Sequence, residues 1–160
     1  MNTVFLNAQS LKEALPSDKT FTLLAGCFDL LHINHMHLLE RAKSFNDLLV
    51  VAILSDEKVH KNKGAGRPVI SEKQRAEMIS CIKFVDFVFI AGVDPIGQET
   101  IKLLRPNSVV FTDEKIVSEK VTRWADNIKL WSPSTDIKIV PYVHVENIST
   151  SSIIEKIRSY

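Results

Sequence analysis

Gly26-Cys27-Phe28-Asp29-Leu30-Leu31-His32-Ile33-Asn34-His35 closes an apolar run and sets two histidines three residues apart where a helix begins. Upstream, Thr20-Phe21-Thr22-Leu23-Leu24-Ala25 reads as a short buried strand, and downstream His35 to Lys43 reads as a helix with its apolar positions on one face. The stretch between them is therefore a strand-to-helix crossing. In a parallel α/β sheet such crossings gather at the carboxyl edge of the strands, where small charged ligands bind. Unpaired backbone N–H groups and the positive end of the helix dipole favour an anion there. His32 and His35 can both donate to the same phosphate, one from the loop and one from the first helical turn.

Two histidines at this spacing also suit half of a zinc site, or a solvated helix start with no ligand. Zinc calls for further Cys, His or carboxylate ligands, and the two cysteines, Cys27 and Cys81, have no metal spacing. No protein-borne metal cluster is expected, and both cysteines read as small buried residues of a reducing compartment.

Outward from this turn, apolar runs recur at Phe21 to Ala25, Leu48 to Leu54, Phe87 to Ile90, Val109 to Phe111 and Ile137 to Val140, most of them separated by helical patterns. A lead-in helix is expected around Ser10 to Leu15. Parallel neighbours need crossover connections, so the alternation predicts an α/β fold, a doubly wound parallel sheet of the Rossmann-like kind. Ser71-Glu72-Lys73-Gln74 fits a capping box opening a helix through Ile82, and Asp94-Pro95 fits an N-cap followed by Pro at the first helical position. Ser149 to Ser152 precedes a short amphipathic helix, Ile153 to Arg158. A chain of 160 residues, 45% hydrophobic, suits one domain over residues 1–160. The formal charge of +1 gives no global pull toward nucleic acid or an acidic membrane. Neither a leader pattern in Met1 to Leu15 nor a bilayer-length apolar stretch is evident, so a cytoplasmic protein without nucleic-acid or membrane partners is expected.

The turn resembles the G-x-F-D-x-x-H-x-G-H signature of the cytidylyltransferase-like nucleotidyltransferases, relatives of the class I aminoacyl-tRNA synthetases. The resemblance implies that His32 and His35 contact nucleotide phosphates, that Gly26, Cys27, Phe28 and Asn34 belong to the nucleotide site, and that Asp29 forms the turn and borders the acceptor. Asn34 stands where the family has Gly. Asn tolerates positive φ and is a good helix N-cap, so the backbone is expected to be open to either residue, with the side chain capping the helix or reaching the ligand.

The polar segment Glu57 to Arg67 carries Lys58, Lys61, Lys63 and Arg67 with Gly64 and Gly66. It reads as a flexible basic loop, either merely solvated or able to close on a triphosphate. Lys63-Gly64-Ala65-Gly66-Arg67-Pro68 and Glu72-Lys73-Gln74-Arg75 resemble the K-G-x-x-R-P loop and E-x-R helix of sugar-phosphate and alcohol-phosphate nucleotidyltransferases, which makes Lys63 catalytic and Arg75 a phosphate ligand. Arg75 pairing with Glu72 on the helix surface is the alternative. Ile148-Ser149-Thr150-Ser151-Ser152 resembles the family's I-S-T-S/T segment, placing Ser149, Thr150 and Ser151 at the phosphates.

The lead-in helix, signature, basic loop and tail resemble most the heptose 1-phosphate adenylyltransferases. There the fourth main strand runs into a K-G-G-D-Y-like segment. This chain has Val110-Phe111-Thr112-Asp113-Glu114-Lys115, with only Asp113 as counterpart and acceptor-site candidate. Trp124 and Trp131 read as packing residues, with an aromatic wall for a base or acceptor as the alternative. The resemblance implies transfer of a nucleotide from ATP to a sugar phosphate such as heptose 1-phosphate, releasing pyrophosphate, with Mg²⁺ accompanying the triphosphate. It also admits a homodimer. CTP with glycerol 3-phosphate or another alcohol phosphate, and a non-catalytic nucleotide-binding module, are the other readings.

Overall fold

The computed structural model describes residues 4–92, 94–113, 119–141 and 148–160, the side chains of 119–121 excepted. Glu114 and Lys115 of the altered segment lie outside the described residues. Among those described, six strands form one parallel sheet: β1 (Val4–Phe5), β2 (Phe21–Gly26), β3 (Leu48–Leu54), β4 (Phe87–Ala91), β5 (Ser108–Thr112) and β6 (Asp136–Val140). The helices are α1 (Ala8–Ala14), α2 (Ile33–Lys43), α3 (Asp56–Lys63), α4 (Glu72–Ser80), α5 (Gln98–Leu104), α6 (Glu119–Trp131) and α7 (Thr150–Arg158).

The strand order is β1-β4-β3-β2-β5-β6. The chain leaves β2 toward β3 and β4 on one side, then crosses to β5 on the other, so the carboxyl ends of β2 and β5 flank the switch point where a crevice opens. The β2–α2 turn and Asp113 both lie at that edge. Successive strand residues face opposite sides of the sheet. Leu23, Val50, Ala52, Phe89, Val109 and Phe111 pack with Leu11 of α1, Ile101 and Leu104 of α5 and Ile128 of α6. Leu24, Leu49, Val51, Ile53, Val88 and Val110 pack with Leu39 and Ala42 of α2 and Ala76 and Ile79 of α4. Each large aliphatic side chain buried this way contributes ~1.5–3 kcal/mol. The doubly wound fold expected from the apolar runs is the fold observed.

Local readings fared unevenly. β3 has the expected bounds, and each of the other four anticipated strands gains one or two residues. β1 had no sequence signal, since two residues are too short for periodicity, and its pairing with Val88 and Phe89 of β4 defines it. The expected flexible loop is largely helix α3. Ser55 caps it by accepting from Lys58 N, Asp56 and Glu57 occupy the first turn, and His60, Lys61 and Lys63 occupy the last. The Ser71 capping box does not form, because Ser71 Oγ donates to Gln74 Oε1 (3.0 Å), and the helix stops at Ser80. Asp94-Pro95 forms a turn before α5, whose N-cap is Gly97. Cys81 is exposed, and Cys27 is half-buried. Trp124 stacks on Phe111 (centroids 6.2 Å apart), and Trp124 and Trp131 both pack against the core. No helix among the described residues is long and apolar enough to cross a membrane.

Candidate active site

The signature turn is built around a tight approach. A Cβ on residue 26 would lie 2.5 Å from the Phe28 ring, so glycine lets that ring fold back over the end of β2. Phe28 and Leu30 both hold positive φ, 53° and 50°, which is costly for bulky side chains and clusters at ligand-binding turns. The buried Phe28 ring then lies against His35, centroids 5.3 Å apart.

His32 is the N-cap of α2 and His35 its third residue. Their rings stack at 3.9 Å between centroids, 27° from parallel. The His32 backbone N–H donates to His35 Nδ1 at 3.3 Å, while the His35 N–H donates to His32 O at 3.0 Å. The pair thus has the outline of a capping box with only one side chain accepting. Burial, then the neighbouring His32, push the His35 pKa down to about 4 against a weaker upward pull from Asp29. Burial also lowers the pKa of His32. With Nδ1 of a neutral His35 accepting, the proton resides on Nε2, which is left as a donor. His32 Nδ1 is buried without a hydrogen-bond partner among the described residues. A buried polar atom left unpaired costs ~1–3 kcal/mol.

The His35 shift fixes a pH dependence. An unfolded chain titrates this residue near 6.5 and so binds more protons than the folded chain between pH 6.5 and 4. Stability should therefore be full above pH 6.5 and fall by ~2–3 kcal/mol on descending to pH 4. Urea denaturation of wild type and His35→Ala across that window checks this: the wild-type curve should fall more steeply, and parallel curves would refute it.

Two ties bring the start of α7 to this turn. Asn34 Nδ2 donates to Ile148 O (2.8 Å), and Thr150 Oγ1 donates to Asp29 O (2.7 Å). Asn34 is 3% exposed, sits inside helix α2 and is not at positive φ. It bridges α2 to the tail where a cap or ligand contact was expected, the cap position belonging to His32. Ser149 caps α7 in a two-way box with Ser152, and Ser151 is exposed on the first turn. Two helix N-termini consequently meet at one turn, and their positive dipole ends favour negative charge there.

Asp29 and Arg75 take roles that sequence reasoning did not anticipate. The buried Asp29 carboxylate accepts from Val69 N (3.0 Å), Ile70 N (3.0 Å) and Arg67 Nε (2.9 Å). It thus locks the turn to the end of the 64–70 connection. Arg75 is fully buried: Nε donates to Ile70 O, Nη1 to Cys27 O, and Nη2 to Leu54 O and to the Asp56 carboxylate. It pairs with neither Glu72 nor solvent, and Glu72 instead accepts from Asp56 N. Such a clamp aligns the ends of β2 and β3 and leaves little of the guanidinium for a phosphate. Burial raises the Cys27 thiol pKa, partly countered by Arg75, so residue 27 contributes a neutral side chain at pH 7. Lys63 is exposed at the end of α3, just before Gly64 and Gly66 with φ of 87° and 81°. Asp113 is exposed directly after β5, across the switch point.

Residues 23–156 match the profile of the family described as Cytidylyltransferase-like. Among curated relatives, the Bifunctional protein HldE of Koribacter versatilis (strain Ellin345) is 40% identical over 140 residues, covering 88% of this chain and 27% of that protein. The Bifunctional protein HldE of Geotalea uraniireducens (strain Rf4) is 36% identical over 96% of this chain and 31% of its own length. The chain thus spans less than a third of these relatives. Of solved structures, the lipopolysaccharide core biosynthesis protein from Thermoplasma volcanium GSS1 aligns over 80% of this chain and 99% of its own, with a TM-score of 0.57 and 25% identity. The pantoate-beta-alanine ligase of Francisella tularensis shares the fold, with a TM-score of 0.64 at 16% identity over 98% of this chain and 78% of its own. Because the matched stretch runs from the middle of β2 through the histidine turn and into α7, the chain belongs to the cytidylyltransferase-like family.

Proposed function

We propose that the protein is a nucleotidyltransferase that joins ATP to a phosphorylated sugar such as heptose 1-phosphate and releases pyrophosphate. The observation that carries this reading is the stacked His32–His35 pair at the start of α2, with a buried ring nitrogen awaiting a partner. The resemblance of the lead-in helix, signature, basic loop and tail to the heptose 1-phosphate adenylyltransferases favours ATP and a heptose phosphate within the family. An acceptor phosphate oxygen attacks the α-phosphorus, the bond to the β-phosphate oxygen breaks, and pyrophosphate leaves. No protein nucleophile is needed, so catalysis rests on positioning and on donors aimed at charge that grows in the transition state. Nε2–H of His35, the backbone N–H groups at the α2 and α7 starts, and the Ser149–Ser151 segment supply those donors. Gly26, Cys27 and Phe28 shape the turn that receives the nucleotide, and Asp113 borders the acceptor. The triphosphate enters as its magnesium complex, the ion belonging to the substrate.

Lys63 meets the phosphates when the end of α3 closes over them, so its contact belongs to the reacting complex. Lys63→Ala should lower kcat by roughly 10–100-fold while changing the ATP Kd far less. Parallel turnover and titration measurements check this, and a weakened Kd at unchanged kcat would make Lys63 a uniform binding contact. The reading as a whole is tested by incubating the protein with Mg²⁺, each of four nucleoside triphosphates and a panel of phosphorylated sugars and alcohols. Pyrophosphate should appear fastest with ATP and a sugar phosphate. A maximum with CTP and glycerol 3-phosphate would reassign the substrates, and nucleotide binding without pyrophosphate in any pairing would make the chain a binding module.

A further inference from the structure

We infer that Arg67 is a substrate-binding residue of this site, held by Asp29 so that its two terminal amino groups meet a substrate phosphate; the inference rests on the nucleotidyltransferase reading and names a ligand group within it. The Arg67 side chain is 13% exposed and the Asp29 carboxylate 0%. One donor, Nε, reaches Asp29 Oδ2 at 2.9 Å, and that carboxylate is completed by the backbone of Val69 and Ile70. Nη1 and Nη2 of Arg67 have no hydrogen-bond partner among the described residues, yet neither is sealed from solvent. A guanidinium so nearly buried, with its outer fork empty, is poorly satisfied within the protein and suited to a bidentate oxyanion.

Its location fits. Its Nε bond to the Asp29 carboxylate ties Arg67 to the signature turn that carries Cys27 and the two histidines. Its partner Asp29 lies in that turn, three positions before His32. The other arginine of the region, Arg75, has its donors engaged on carbonyls and Asp56. Arg67 is therefore the cation of the 64–70 connection that is both fixed in position and open to a ligand. The phosphate it meets belongs either to the nucleotide or to the sugar phosphate.

Arg67→Lys separates a structural tie from a ligand contact, since one ammonium can keep the Asp29 pair but has no planar fork left for a phosphate. Calorimetric titrations of wild type and R67K with ATP alone, and with a sugar phosphate alone, distinguish the two sources. The expected result is an affinity loss of roughly 10- to 100-fold for one of the two ligands, with the melting temperature nearly unchanged. Wild-type affinity for both in R67K would overturn the inference even if the enzyme turns over normally. Binding that depends on Arg67 without pyrophosphate release in wild type would uphold it while the proposed reaction fails. If R67K does not fold, ¹⁵N-arginine spectra of the wild-type protein decide. The Arg67 Nη signals, identified through the Nε–H held by buried Asp29, should shift at saturating ATP or sugar phosphate, and signals unmoved by both would refute the contact.

Discussion

His32→Ala and His35→Ala should each lower turnover by roughly 10²–10³-fold, the scale for losing one donor aimed at transition-state charge. Their melting temperatures should move far less than their rates. The His32 change removes a ring whose Nδ1 is already unpaired, and the His35 change removes an acceptor from one backbone N–H. Steady-state kinetics at saturating substrates, read beside thermal melts, checks this. Near-wild-type turnover in both variants would remove the histidine pair from the chemistry. Because the two rings stack and share one turn, the double variant should be no worse than the poorer single, since groups acting as a unit are not additive.

Arg75→Met has the largest expected effect on stability. Removing the guanidinium leaves the carbonyls of Cys27, Leu54 and Ile70 and the Asp56 carboxylate without their donor, in a place where Arg75 itself is fully buried. The Asp56 carboxylate is 41% exposed and can rehydrate, so the loss rests on the three carbonyls. Each costs ~1–3 kcal/mol when its donor is removed, or ~3–5 kcal/mol together. For a domain of this size that lowers the melting temperature by roughly 10 °C or more. Thermal denaturation with and without ATP separates the clamp from a phosphate ligand. The clamp predicts a large drop in both conditions, whereas an unchanged apo melting temperature with lost ATP stabilisation would make Arg75 a ligand.

The sheet was legible because its strands are buried on both faces. Leu48-Leu49-Val50-Val51-Ala52-Ile53-Leu54 is continuously apolar for that reason, and such runs announce a parallel sheet. That the histidine turn lies at the carboxyl edge of the sheet followed from the alternation of strands and helices, while its place beside the switch point rests on the sheet order. Helix α3 was misread because hydrophobic periodicity fails on Asp56-Glu57-Lys58-Val59-His60-Lys61-Asn62-Lys63, where only Val59 is buried. Its end signals were present all the same: Ser55 as N-cap, acidic residues first, basic residues last and Gly64 at the close. Asp94-Pro95 misled in the opposite way, because the same dipeptide that opens helices also opens turns.

The clamps were not legible from local pattern. Arg75 engages backbone carbonyls from residues 27, 54 and 70, and a carbonyl carries no side-chain signature. The role of Asn34 was hidden in the same way, because its partner, Ile148 O, lies far along the chain. Asp29 was readable as a turn former. Its hold on Arg67 and on the amides of Val69 and Ile70 appears only once β2 and the 64–70 connection are brought together.

The most direct test of the account is the mass of the product formed from ATP, Mg²⁺ and heptose 1-phosphate, measured together with the pyrophosphate released. Direct attack on the α-phosphorus predicts an adenosine diphosphate sugar that retains the acceptor's phosphate, formed one for one with pyrophosphate. Saturable ATP binding that yields neither product would contradict it.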